Sequence, residues 1–300
     1  MVKNEDLLNI ISVPEHEEEM FKNVIKKYRK KYIKPAKELV VEIFEKNTSF
    51  KQRLLEKKDA SGVILDVREF AYSEFLKEEA VLNREILNNL SDELETPNQI
   101  MNNLISEDVL IKTGEALYGA IKNICGKYAG HIYPYIYMLS LSNTNSRRSR
   151  SGSTFESIIY TIYDLLEYPY DSQKKVGSKL FQKVGLGKKV DSILPGIEQF
   201  EKIRSKTIIG TMKTSLRERW QEVAEEIERT KVPSIHLLTV DENIAVNKAR
   251  EMNKHNIVVV GLKKVAEGEG LKESHNIISF EDYLFVELPQ LLNYWKNEQV

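Results

Sequence analysis

A single cysteine, Cys125, stands in the 300-residue chain, which excludes an intramolecular disulfide framework and any zinc centre built from several thiolates. Long apolar runs are also missing. None approaches the roughly 18 residues that span a bilayer, and the opening Met1-Val-Lys-Asn-Glu-Asp6 has no apolar signal-peptide stretch, so no membrane partner and a reducing cytoplasmic setting are expected. An excess of one charge sign is lacking as well: 44 Lys and Arg face 45 Asp and Glu, leaving a net charge of −1. That excludes a histone-like polycation but says nothing of local basic patches. The five histidines (His16, His131, His236, His255, His275) share no ligand spacing and are expected to be structural. What is present is an ordinary globular composition, 41% hydrophobic and 30% charged, with length for one large domain or two modest ones.

The pattern changes near residue 130. Residues 1–130 read as a mainly helical region, serving DNA-flank contacts or dimerisation. Phe21, Val24, Ile25 and Tyr28, then Leu39, Val40, Ile43 and Phe44, fall at helical spacing on either side of a break near Pro35. Gly62–Val67 is open between a short strand and a helix start. Ser106–Cys125 predicts another helix, with Ser106 at its N-cap. Residues 131–300 read as an α/β core. A polar loop from Ser142 to Ser153 precedes a helix over Thr154–Leu166, striped by Phe155, Ile158, Ile159, Ile162 and Leu165. Strands are expected at Lys189–Leu194, Thr207–Thr214, Ser234–Val240 and Asn256–Leu262, with helices at Leu216–Arg229, Asn243–Lys254 and Glu281–Asn297. That order implies a mixed sheet covered by helices on both faces.

Three pieces of this half belong together. Asp191 lies in the first strand, Lys213 closes the second, and a helix follows at once, beginning Ser215-Leu-Arg-Glu-Arg-Trp220. A carboxylate and a lysine on neighbouring strands are costly to bury without a purpose. Metal-assisted phosphodiester cleavage supplies one: carboxylates hold a hard cation such as Mg²⁺, and the lysine activates water or steadies the phosphorus oxygens. Thr211 occupies the place, two residues before the lysine, where a second carboxylate is expected. The helix must therefore provide it. Glu226 lies beside the apolar stripe of Leu216, Trp220, Val223 and Ile227, but Glu222, Glu225 and Glu228 compete, and spacing does not choose. An ordinary ion pair between Asp191 and Lys213 fits the spacing equally well, and Ser215 with Glu218 fits a helix capping box that needs no function. The run Gly185-Leu-Gly-Lys-Lys189 lacks phosphate-loop spacing and is set aside.

The run Lys213-Thr-Ser-Leu-Arg-Glu-Arg-Trp220, with Asp191 twenty-two residues before the lysine and Glu156 thirty-five before that, resembles type II restriction endonucleases of the PD-(D/E)XK superfamily. More narrowly, it resembles the branch reading CCGG, CCNGG and CCWGG sites. The resemblance covers about residues 145–230; one departure is Val190 where the pattern has proline before the aspartate. It implies that the second acidic ligand has moved to the helix, thirteen residues after the lysine, which is Glu226, and that Glu156 assists. It also implies Mg²⁺-dependent cleavage of double-stranded DNA leaving 5′ overhangs. Arginine pairs bidentately with guanine and glutamate accepts from cytosine, so Arg217, Glu218 and Arg219 suit G and C readout. Arg147, Arg148 and Arg150 are expected to touch phosphates or the minor groove. A palindromic site calls for a homodimer or higher homo-oligomer. With Trp220 committed to packing, though tyrosines and phenylalanines of the helical half could still serve as a platform, the expectation is an uninterrupted CCGG core without base extrusion, with a CC–N–GG core as the alternative. The rival readings are a structure-specific repair or recombination nuclease and a non-catalytic DNA-binding module on the same core.

Overall fold

The computed structural model describes residues 12–187 and 189–298. The N-terminal residues read above for a signal peptide, and Lys188 of the glycine-containing run, lie outside them. Six strands form one sheet: β1 (Asp171–Ser172), β2 (Ser192–Leu194), β3 (Ile208–Lys213), β4 (Ile235–Thr239), β5 (Ile257–Gly261) and β6 (Ile277–Ser279), in that spatial order. β1, β2 and β3 pair antiparallel, whereas β3 to β6 run parallel. β4 is buried along its whole length and β5 nearly so, as expected of parallel strands covered on both faces. The mixed, helix-covered sheet is the expected fold class. β1 and β6 had no counterpart in the sequence reading, because two and three residues are too short to show alternation.

The chain forms two compact units that do not divide at residue 130. One comprises residues up to Pro35 with Tyr72–Ser149; the other comprises Ala36–Ala71 with the residues from Arg150 onward. Helix α1 (Glu15–Tyr32) belongs to the first and helix α2 (Ala36–Lys46) to the second, separated at Pro35 as expected. The longer helices α3 (Ala60–Asn88) and α4 (Tyr133–Leu165) each give residues to both units. Burial explains the corrected boundary: Leu39, Val40, Ile43, Phe44, Val63, Ile64 and Val67 pack into the same core as the sheet. The Gly62–Val67 segment is the start of α3, not a strand.

The first unit has its own core, in which Phe21, Ile25, Leu82, Ile86 and Tyr135 pack together. The buried Glu17 carboxylate accepts from the Thr96 N–H at 2.8 Å and from the Tyr135 hydroxyl. The expected Ser106–Cys125 helix is divided into Glu107–Leu110 and Gly114–His131, and Ser106 holds the N-cap position of the first piece without a side-chain cap bond. The Ser142–Ser153 stretch is not a loop. It is the middle of α4, where hydroxyls fold back on the helix: Thr144 Oγ1 donates to the Ser140 carbonyl at 3.0 Å and Ser153 Oγ to the Arg150 carbonyl at 3.1 Å. Arg147, one of the three arginines expected to touch phosphates or the minor groove, pairs there with the buried Glu79 inside the first unit. Arg148 is exposed and Arg150 half-buried.

Candidate active site and DNA-reading turn

Asp191 sits one residue before β2 rather than inside it, yet its N–H extends the ladder by donating to the Gly210 carbonyl at 2.9 Å. Glycine is required opposite, since a Cβ at Gly210 would lie 2.5 Å from Ser192 Oγ. The Asp191 carboxylate turns back onto β3: Oδ2 accepts from the Met212 N–H at 2.7 Å and from the Thr211 hydroxyl at 3.3 Å. Thr211, in the place of the missing carboxylate, thus binds the one that is present. Tyr160, stacked on Tyr170 with ring centroids 5.1 Å apart, donates its hydroxyl to the Asp191 carbonyl at 2.9 Å. Burial pushes the Asp191 carboxyl up to about 6; the Lys213 ammonium opposes the shift, Glu156 reinforces it, and the two donors on β3 oppose it. Lys213 ends β3, in register with Thr239 of β4. Glu156, on α4, pairs with Lys174 at 2.6 Å.

Helix α5 (Trp220–Thr230) buries Trp220, Val223, Ala224, Glu226, Ile227 and Thr230. Of the four competing glutamates only Glu226 is buried; Glu225 and Glu228 are exposed. Glu222 pairs with Lys189 at 2.6 Å, and that hydrogen bond holds its carboxyl below the ordinary range. The Glu226 carboxylate accepts from the Gly187 N–H at 2.5 Å and from Arg229 Nη2 at 2.7 Å. A Cβ at Gly187 would fall 2.5 Å from both Glu226 Oε2 and Arg229 Nη2, so a larger residue there would have to displace those side-chain ends. Gln173 Nε2 donates to the Gly187 and Val190 carbonyls at 3.1 and 2.6 Å, fixing the turn that leads into Asp191. The run set aside as an imperfect phosphate loop is therefore the seat of Glu226.

Lys213 and Glu156 both act electrostatically on the Asp191 carboxylate, while Glu226 is engaged by Gly187 and Arg229. No group of three or more His, Cys, Asp or Glu side chains is gathered as a metal cage among the described residues. The carboxylates of Asp191, Glu156 and Glu226 offer oxygen donors alone, the chemistry of a hard divalent cation such as Mg²⁺ and not of a metal that seeks sulfur or imidazole. The donor set fits such an ion by type.

Arg217, Glu218 and Arg219 do not form the first turn of the helix. They make an exposed turn before it, and Arg219 takes the N-cap position without a side-chain bond, so the Ser215–Glu218 capping box is absent. Arg217 has φ +34°, in the left-handed region that side-chain-bearing residues rarely occupy. The buried Leu216 anchors the turn, and its N–H donates to Asp241 Oδ2 at 2.8 Å. Lys248 Nζ, from helix α6 (Val246–Lys254), donates to the Arg217 carbonyl at 2.9 Å. Asp241 and Lys248 were not found from sequence, since a polar residue after a strand and a lysine on a helix carry no distinguishing pattern. Trp220 and Trp295 are both buried, and Trp295 donates to the Lys206 carbonyl at 2.6 Å. His236 is also buried, facing Glu287 at 3.0 Å.

A helix-covered mixed sheet, with the aspartate leading into β2 and the lysine ending the antiparallel β3, is the arrangement of the PD-(D/E)XK class of type II restriction endonucleases, and the known proteins agree. Residues 122–284, more than half of the chain, match the family described as EcoRII C terminal, and the chain belongs to that family. It is 37% identical over 182 residues to the type II restriction enzyme SsoII of Shigella sonnei, a match that covers 60% of this chain and 57% of that one. Metal-depleted Ecl18kI in complex with uncleaved DNA superposes with a TM-score of 0.66 and 30% identity, over 92% of this chain and 85% of that one. The restriction endonuclease PspGI in its substrate DNA complex shares the fold at a TM-score of 0.59 and 17% identity, over 94% of this chain and 98% of that one.

Proposed function

We propose that the chain is a Mg²⁺-dependent, site-specific endonuclease for double-stranded DNA, acting as a homodimer or higher homo-oligomer in the cytoplasm at a palindrome with a CCGG or CC–N–GG core. The observation that carries this reading is the Asp191 carboxylate, hydrogen-bonded to β3 beside Lys213, with an exposed Arg–Glu–Arg turn beginning four residues later. Asp191 and Glu226 would hold the metal and Glu156 would assist; Mg²⁺ there would supply charge neutralisation at the scissile phosphate. The Lys213 ammonium orients the attacking water and steadies the non-bridging oxygens. Water forms the new bond to phosphorus and gives up a proton to solvent, the bond to the 3′ oxygen breaks, and that oxygen takes a proton from solvent and leaves as a hydroxyl, so the 5′ end keeps the phosphate in a 5′ overhang. Arg217 and Arg219 contact guanines, Glu218 accepts from cytosine, and Arg148 and Arg150 contact the backbone.

Several features support the reading. The buried carboxyl of Asp191 sits at about 6, so it is ionised and ready for a cation at neutral pH. Family membership and the DNA complexes of structural neighbours supply the substrate class. Both tryptophans are buried, whereas Phe70, Tyr72, Tyr133 and Tyr137 are exposed aromatics, so the CCGG and CC–N–GG cores both stand until the site is mapped. Digestion of a sequenced plasmid with Mg²⁺, followed by end mapping, tests the proposal. Discrete fragments with 5′ overhangs at one palindrome are expected. A fifth central base would replace the CCGG core alone, and cutting at junctions or flaps regardless of sequence would replace the site-specific reading.

A further inference from the structure

We infer that Asp241 and Lys248 are positioning residues for sequence reading: they clamp the backbone on either side of Arg217 and so aim the Arg217–Arg219 turn. The inference rests on the proposed DNA-reading role of that turn. Arg217 lies at φ +34°, a conformation that a residue with a side chain adopts only where its surroundings impose it. The imposing contacts bracket it. On its N-terminal side, the Leu216 N–H is held by Asp241 Oδ2 at 2.8 Å; on its C-terminal side, the Arg217 carbonyl is held by Lys248 Nζ at 2.9 Å. Within the turn, the Arg219 N–H bonds back to the Leu216 carbonyl at 2.7 Å.

Asp241 is itself fixed. Its N–H donates to Thr239 Oγ1 at 3.1 Å, and its second carboxylate oxygen accepts from the Asn243 N–H at 3.0 Å. Thr239 is fully buried at the end of β4, in register with Lys213 of β3. The chain of contacts therefore runs from the strand position opposite the candidate catalytic lysine, through Thr239 and Asp241, to the backbone of the reading turn. Neither Asp241 nor Lys248 needs to touch a base. Their effect is to hold two arginines in one conformation, so that guanine pairing does not have to order the turn at the moment of binding.

The test measures affinity for two duplexes without divalent metal, one carrying the site mapped by digestion and one of equal length and composition without it. Wild type, Lys248→Met, Lys248→Arg and Asp241→Ala are titrated across a range of salt, with thermal melting of each chain recorded alongside. Lys248→Met and Asp241→Ala are expected to lower the cognate-to-random ratio by about tenfold while random binding and its salt slope stay unchanged. Lys248→Arg, which keeps a donor, should restore the ratio. An unchanged ratio in Lys248→Met would overturn the inference. So would equal weakening on both duplexes with a shallower salt slope, the mark of a phosphate contact. If wild type itself fails to discriminate, the proposed function falls and the inference with it; if wild type discriminates and the variants do too, the inference alone falls.

Discussion

Lys213 and Arg217 are four residues apart, yet the two regions they belong to are fixed by different means. The proposed catalytic side rests on the sheet: Asp191 is tied to Gly210 and Met212 through the β3 backbone, and Lys213 ends a strand paired on both edges. The proposed reading side rests on two side chains, Asp241 and Lys248, that bond to the backbone of an otherwise exposed turn. Backbone ladders cannot be removed by substitution, whereas side-chain clamps can. Chemistry and specificity should therefore be separable by mutation even though they are neighbours in sequence.

The largest expected effect lies on the catalytic side. Asp191→Ala, Lys213→Ala and Glu226→Ala should each lower the single-turnover cleavage rate by about 10³-fold or more while leaving cognate binding in place. Full activity in Glu226→Ala would transfer the ligand role to Glu222 or Glu225. On the reading side, Arg217→Ala and Arg219→Ala should each cost about 1–3 kcal/mol of discrimination between cognate and random duplexes, measured by competition binding. Equal losses on both duplexes would mean that these arginines contact phosphates.

A smaller effect concerns stability. Burial raises the folded-state carboxyl of Asp191 to about 6, against an unfolded value near 4, so the folded chain binds that proton more tightly. Below about pH 4 both states are protonated and no penalty arises. Between pH 4 and 6 the penalty grows, and above 6 it is constant. Asp191→Asn should therefore leave the metal-free chain nearly unchanged in stability at pH 3 and stabilise it by about 2 kcal/mol at pH 8. Urea unfolding at the two pH values checks the sign. The smallest effect is expected at Gly187→Ala, where the added Cβ must push the Glu226 carboxylate aside. The fold should survive with a loss of about 1 kcal/mol, and cleavage should fall much further than cognate binding.

The parts legible in the sequence are those with a period or a sharp motif. The central strands β3, β4 and β5 were read within a residue or two, because β-branched and other apolar residues run continuously there. Asp191, Lys213 and the Arg–Glu–Arg triplet were picked out by type and spacing. Tertiary packing decided the rest. The serine- and arginine-rich stretch before Glu156 reads as a loop by composition, yet its hydroxyls bond back onto α4 and Arg147 is captured by Glu79. Spacing does not choose among four glutamates of one helix; Glu226 alone of the four is buried, and the glycine it bonds lies thirty-nine residues earlier in the chain. The clamp on Arg217 likewise joins residues about twenty-five to thirty-one positions apart, with no local pattern to betray it.

The separation of cutting from reading is tested most directly by the cognate-to-random affinity ratio of the Asp191→Ala chain, measured with the wild-type ratio as reference. A ratio equal to that of wild type, with no cleavage, is the expected result. A ratio near one would contradict the account, because it would place sequence reading on the same strand-borne carboxylate as the chemistry.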